Sequence, residues 1–185
     1  MKNRSLFLKY WVVTAVISIQ LSACSRNDKE TDETRQEITV GKDSTVAPKR
    51  VVPVVASGIS FTCTPTRVWD GDGPIWCAEG PRIRLAGIAA REIDETCSLG
   101  QPCPSVSGTT ARDRLANLVG KVTGTAQEGH LTVSGPVLSC VSEGGARGSR
   151  TAAWCVSPTM GDLSCAMIAD GSALKWHKYW HRHVC

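Results

Sequence analysis

The chain is 185 residues long, 42% hydrophobic and 21% charged, with a formal net charge of +4. Lys2, Arg4 and Lys9 supply three of those charges, residues 25–50 balance six basic against six acidic side chains, and residues 51–185 carry twelve against eleven. A strongly basic body is excluded, so affinity for an anionic polymer has to come from local placement of charge.

The three early cations precede an apolar run over residues 10–21, broken only by Thr14, Ser18 and Gln20. That run falls short of the about 20 apolar residues that span a bilayer, and it leads into small residues as a cleavable export signal does. Its end, Leu21-Ser22-Ala23-Cys24, resembles a bacterial lipobox, in which the cysteine is lipidated after cleavage directly before it. Residues 1–23 are therefore expected to be a lipoprotein signal peptide, with Cys24 carrying the lipid that anchors the chain to the membrane. The alternative is ordinary secretion, with Cys24 merely near the cut. Ser25 after the lipidated residue points to the outer membrane, with the domain facing the periplasm. Residues 24–50 are polar, mixed in charge and lack periodic apolar positions, which predicts a disordered tether. Residues 51–185 are left, about one domain by size.

In that domain, Ile59, Phe61 and Cys63 alternate with polar residues in a strand-like run that continues to Trp69. Asp70-Gly71-Asp72-Gly73 is a turn signal ahead of Ile75-Trp76-Cys77. Arg82-Ile83-Arg84-Leu85 alternates basic and apolar side chains, which puts both arginines on one face of a strand. Residues 97–103 read as a Pro/Gly loop. Ala111, Leu115, Leu118 and Val119 recur at helical spacing, with Gly120 as the stop. Strand signal returns over residues 131–141 and 151–156, joined by a glycine-rich loop over 143–150. A second helix is predicted from Asp162 as N-cap, with Leu163, Ala166 and Met167 buried and Gly171 at its end. The expected class is α+β, mainly β: a five-stranded OB-fold Greek-key barrel with flanking helices.

Nine cysteines support export independently, because with Cys24 reserved for lipid an even set of eight remains for disulfides in an oxidising compartment. Many connectivities are open to eight cysteines, and hairpin geometry favours one of them. Cys63 and Cys77 flank the first hairpin, Cys97 and Cys103 bracket one loop, and Cys140 and Cys155 flank the second hairpin. Cys165 is then left for Cys185. Such staples would offset the small core of a domain this size. A zinc site is the weaker reading, since no C-x-x-C pair occurs.

Several of these segments together resemble the staphylococcal (thermo)nuclease family. Val68-Trp69-Asp70-Gly71-Asp72 resembles its V-x-D-G-D segment, and Arg84-Leu85-Ala86-Gly87-Ile88-Ala89-Ala90-Arg91-Glu92 its R-L-x-G-I-D-A-P-E segment. Ser149-Arg150-Thr151-Ala152-Ala153 resembles the start of a later strand, and the two predicted helices fall where the family has helices. Order and approximate spacing agree from about residue 59 to 180.

The resemblance implies an OB-fold barrel that hydrolyses phosphodiesters of DNA and RNA with Ca2+. By motif position Arg84, Glu92 and Arg150 are the implied catalytic residues and Asp72 a metal ligand, with Asp70 as a further candidate oxygen. Tyr179 falls near a substrate-contacting tyrosine of the family. The implied partner is nucleic acid, and the domain is expected to be a monomer. Guanidinium forks match the charge that builds on phosphoryl oxygens, and the glutamate can accept a proton from the attacking water or orient it beside the metal.

Departures from the family pattern are concentrated on the metal. Ala89 stands where the second metal aspartate is expected, Arg91 replaces a proline, and Gly73 replaces a threonine. Asp70, Asp94 and Glu95 are the other oxygen donors nearby. Residues 121–130 read as an insertion, and the C-terminal helix as truncated.

Other signals have bland readings. Asp70 and Asp72 are also ordinary turn residues, and Arg147 competes with Arg150 in one loop. Gly144 to Gly148 lacks the end of a phosphate loop. His177, His181 and His183 read as an exposed basic tail rather than a metal site, and Trp176, Tyr179 and Trp180 as packing rather than base stacking. The leading expectation is a nuclease-like phosphodiesterase. The alternative is a non-catalytic OB-fold module that binds nucleic acid, an anionic envelope component or a protein.

Overall fold

The computed structural model describes residues 53–185. The expected signal peptide, the expected lipidation site Cys24, the expected tether and the first two residues expected of the domain lie outside them. Among the described residues no helix is long and apolar enough to cross a membrane.

The chain folds as β1 (Ser60–Cys63), β2 (Pro65–Val68), β3 (Ile75–Cys77), β4 (Arg82–Leu85), β5 (Ile88–Ala89), α1 (Gly108–Val119), β6 (Lys121–Thr125), β7 (Leu131–Ser134), β8 (Leu138–Ala146), β9 (Arg150–Ser157), β10 (Gly161–Asp162), α2 (Leu163–Ala169), β11 (Leu174–Lys175) and α3 (His177–Trp180). Nine strands form one curled mixed sheet in the order β1-β8-β9-β4-β3-β2-β7-β6, with β10 on β9, and β11 pairs β5 separately. The strand count thus exceeds the five expected, because short edge strands and one interrupted strand add to the total. β4 runs parallel to β9, with Arg84 opposite Ala152, and the other pairings are antiparallel.

Alternation in β4 explains its place. Ile83 and Leu85 are buried while Arg82 and Arg84 lie on the opposite face and keep some exposure, as the period-two pattern requires. Ile75, Ile83, Leu85, Leu115, Leu138 and Leu163 are among the fully buried side chains of the core, each worth about 1.5–3 kcal/mol of transfer free energy. α1 turns Ala111, Leu115, Leu118 and Val119 inward, and the Ser107 side chain accepts from the Thr110 amide at its start. α2 begins at the predicted cap, where Asp162 accepts from the Cys165 amide at 2.8 Å.

The disulfides are Cys63–Cys77, Cys97–Cys103, Cys140–Cys155 and Cys165–Cys185. The pairing is the one hairpin geometry favours, and Cys140 lies directly opposite Cys155 in the β8–β9 register.

Three local expectations are corrected and a fourth stretch gains detail. The run over residues 59–69 is two strands, because β1 pairs β8 whereas β2 pairs β3 and β7. Within the stretch read as an insertion, residues 121–125 form edge strand β6, paired antiparallel with β7. Gly135-Pro136 interrupts the run over 131–141, separating β7 from β8. The glycine-rich stretch is mostly strand, since Gly144 and Gly145 pair with Ala152 and Thr151, leaving only residues 147–149 as loop.

Candidate functional site

A cleft of about 1090 Å3 opens over the β4–β9 seam, and Arg84, Glu92, Arg150 and Tyr179 all line it. Four positions singled out in sequence are therefore brought to one surface. Asp70 and Asp72 lie beneath it, 4% exposed each, so they are buried floor rather than an exposed turn tip. The reason is close packing: a Cβ on Gly71 would meet the Ala111 Cβ at 2.5 Å and the Ala90 Cβ at 2.7 Å, so only glycine lets α1 seat on this turn.

On the floor, Arg84 Nη1 forms an ion pair with Asp72 Oδ1, both side chains nearly buried. Its Nη2 reaches the Ile88 carbonyl at 3.4 Å. The second oxygen of Asp72 accepts from the Ala90 amide at 3.0 Å, and its backbone carbonyl accepts from Leu85 at 2.8 Å. Asp70 Oδ1 accepts from the Asp72 amide at 3.1 Å. Burial pushes the Asp70 carboxyl up to about 7, Glu92 adds repulsion, and Arg84, Arg150 and the Gly73 amide oppose the rise. Burial also pulls the Arg84 guanidinium down to about 10, with Asp70 opposing, Arg150 adding to the fall, and Glu92 and Tyr179 opposing it. Arg84 stays charged at neutral pH, and its electrostatic neighbours are the other candidate residues.

At the rim, Arg150 is half-buried at the start of β9 and donates from Nε to the Arg147 carbonyl at 2.7 Å. Arg147, exposed, lines the same cleft, so the two competing arginines sit side by side, with the Arg147 backbone orienting Arg150. Arg82, on the same strand face as Arg84, donates to the Gly148 carbonyl at 2.8 Å and steadies the loop. Glu92 is half-buried, with Ser98 Oγ at 3.4 Å from its Oε1. The Glu92 backbone is held against the start of α1, where a Cβ on Gly108 would collide with the Glu92 carbonyl.

Donors around the floor do not fit a calcium ion, which takes six to eight oxygens at about 2.3–2.6 Å. Both Asp72 oxygens already accept from a guanidinium and an amide, Asp70 Oδ1 accepts from the Asp72 amide, and Ala89, fully buried, brings no side-chain oxygen. Glu95 accepts from the Gly108 amide at 3.1 Å and caps α1, while Asp94 accepts from the Thr96 hydroxyl and amide. Arg91 reaches away to the Pro104 carbonyl at 2.8 Å and the Glu95 carbonyl at 2.7 Å, tying down the loop closed by Cys97–Cys103.

The C-terminal aromatics divide. Trp180 is buried, its indole donating to the His183 carbonyl at 2.7 Å. Tyr179 and Trp176 meet edge to face at 4.6 Å on the cleft rim. The histidines divide as well, which corrects the reading of a uniformly exposed tail. His177 and His181 are exposed, but His183 stacks on Trp154 at 3.7 Å with its Nε2 3.0 Å from Asp162 Oδ2. Asp162, Cys165 and His183 converge, but Cys165 is disulfide-bonded to Cys185 and is no thiolate ligand. His181 and Ser98 join the cleft without having been singled out as site residues. The signal available for Ser98 was its place in the cysteine-bracketed loop.

No family model, curated protein or solved structure matches this chain.

Proposed function

We propose that the chain is a nucleic-acid phosphodiesterase on an OB-fold barrel of the staphylococcal-nuclease type. The observation that carries this reading is the convergence of Arg84, Glu92, Arg150 and Tyr179, from four separate segments, on one cleft. The strand path supports the barrel: β2, β3, β4, β9 and β8 are successive neighbours, and β7, three residues before β8, pairs back onto β2. Taken as one bent strand, β7 and β8 close a five-membered ring that includes the parallel β4–β9 pair.

Arg84 and Arg150 bear the charge that develops on the non-bridging phosphoryl oxygens, with Arg84 already oriented by Asp72. Glu92 takes the proton of the attacking hydroxyl. Tyr179, 42% exposed at the rim, offers a hydroxyl to a phosphate oxygen or a ring face to a base. No step is assigned to calcium. An export signal over residues 1–24 would put the site in an oxidising envelope compartment, and the four disulfides support that reading.

The engaged Asp72 and the absent carboxylate at Ala89 favour a second reading, a module that binds single strands without cutting them. Both are tested by incubating the oxidised full chain with single-stranded DNA and RNA, with calcium and with chelator, beside Arg84→Ala and Glu92→Gln variants. Cleavage that falls about 100- to 1,000-fold in both variants is expected. Binding without cleavage under every condition would transfer the conclusion to the module.

A further inference from the structure

We propose, resting on the phosphodiesterase reading, that the cleft cuts RNA and not DNA, by attack of the ribose 2′-hydroxyl on the adjacent phosphodiester without a metal ion. Glu92 accepts the 2′-hydroxyl proton and His181 protonates the departing 5′-oxygen. The 2′-oxygen–phosphorus bond forms as the phosphorus–5′-oxygen bond breaks. The products are a 2′,3′-cyclic phosphate and a 5′-hydroxyl, and solvent exchange returns Glu92 and His181 to their starting states. No oxidant, reductant or co-reactant is consumed.

Three observations lead there. The first is the state of the implied metal ligand: a water nucleophile attacking a phosphodiester gains most from a metal that acidifies it, but both oxygens of Asp72 are engaged by Arg84 and the Ala90 amide, and Ala89 brings no carboxylate. An internal hydroxyl does not need that help, since a nucleophile on the substrate itself has an effective molarity of about 10^5–10^8 M when well oriented.

Glu92 provides the second observation. It lines the cleft beside two arginines, and among the described residues its carboxylate has only Ser98 Oγ as partner, at 3.4 Å. A carboxylate held so lightly, unlike Asp72, is free to accept a proton.

His181 is the third. Of the four histidines it alone lines the cleft. Its backbone is at φ 47° and ψ −125°, a conformation that costs a non-glycine residue about 1–3 kcal/mol. Among the described residues its ring makes no hydrogen bond or ring contact, whereas His130 and His183 are both packed on tryptophans. Imidazole is the side chain that gives up and regains a proton near neutral pH. A strained backbone that leaves this ring exposed at the cleft, without a hydrogen-bond partner among the described residues, suits a proton donor to substrate.

The test uses the oxidised full chain in excess EDTA and three strands of one sequence: all DNA, DNA with a single ribonucleotide, and DNA with a 2′-O-methyl ribonucleotide there. The expected result is a cut only at the ribonucleotide, with mass spectrometry showing a 2′,3′-cyclic phosphate on the upstream fragment. Glu92→Gln and His181→Ala should each slow it about 100-fold or more. His181→Ala should leave cleavage of a ribonucleoside 3′-(4-nitrophenyl phosphate) little changed, because that leaving group needs no proton, a split that a merely structural histidine would not produce. Cleavage of the all-DNA strand, or cleavage only with calcium, overturns the proposal and leaves the phosphodiesterase reading standing. A His181→Ala rate equal to the parent's on the ribonucleotide strand also overturns it. Strands bound but uncut under all metals overturn both in favour of the binding module, and strands neither bound nor cut remove the site altogether.

Discussion

The floor and the rim of the cleft carry charge in opposite ways. On the floor, Arg84 and Asp72 are nearly buried and bonded to one another, the remaining Asp72 oxygen is satisfied by the Ala90 amide, and α1 seats on Gly71 beneath them. On the rim, Arg147, Tyr179 and His181 are exposed, and Arg150 is steadied by a single backbone carbonyl. A charge fixed by packing needs no reorganisation when substrate arrives, which is what electrostatic stabilisation of a transition state requires. A charge on the rim contributes little to folding and can adapt to what it meets. The floor is thus expected to govern stability and rate together, and the rim to govern binding and rate with little effect on stability.

Removing one partner from the floor is the harshest way to break this contrast. Asp72→Ala leaves the Arg84 guanidinium buried without its counter-charge, and a loss of about 3–5 kcal/mol in urea unfolding is expected. The double variant Arg84→Met/Asp72→Leu should recover most of that stability while remaining inactive, because an apolar pair of similar volume replaces a desolvated ion pair at little net cost. If the single variant loses less than about 0.5 kcal/mol, the pair is no more than an ordinary surface contact.

Asp70 gives a gentler test, through pH. Its carboxyl is pushed up to about 7 in the folded chain by burial, against about 3.9 in an unfolded one. Between those values the folded chain holds a proton that the unfolded chain has released. Stability from this group is therefore full below about pH 4, falls as pH rises towards 7, and is flat above. Asp70→Asn should remove that slope, gaining on the order of 2–4 kcal/mol relative to the parent between pH 4 and pH 8. Parallel stability–pH curves for the two proteins would mean that Arg84 and Arg150 already neutralise Asp70.

Much of the fold was legible in the sequence because it depends on local pattern. Alternation in Arg82-Ile83-Arg84-Leu85 assigned faces, Asp162 announced a helix start, and cysteine spacing about two hairpins matched the disulfides. What escaped depends on partners distant in sequence. β6 is exposed at four of its five positions, so it lacks the apolar alternation that marks a strand, and only pairing with β7 makes it one. Gly144 and Gly145 carry turn chemistry but are held in a strand by β9. Asp70 and Asp72 were readable as a turn but not as a buried one, because burial comes from Ala111, about 40 residues on. His183 looked like tail until Trp154 and Asp162 closed around it. The resemblance singled out Asp72 as a metal ligand, and nothing in the sequence could show that Arg84 and the Ala90 amide engage both its oxygens.

The smallest effect on stability belongs to the rim, and it sharpens the comparison most. Arg150→Ala removes a half-buried guanidinium whose one intramolecular bond, to the Arg147 carbonyl, leaves an exposed acceptor that water can satisfy. Unfolding free energy should therefore change by less than about 0.5 kcal/mol. Affinity for a single strand that the protein does not cut should nonetheless fall about tenfold, as for the loss of about 1.4 kcal/mol of charge-assisted contact to a phosphate. Arg150→Lys separates charge from geometry, because a lysine keeps the former and loses the planar fork. If lysine restores affinity but not cleavage, Arg150 recognises the transition state through its two-pronged donor set. If lysine restores both, a point charge suffices at the rim and the directional part of the site is confined to Arg84. Either result is measured by fluorescence anisotropy beside a cleavage assay. A stability loss above about 1 kcal/mol in Arg150→Ala would place this arginine with the floor and collapse the distinction between the two regions.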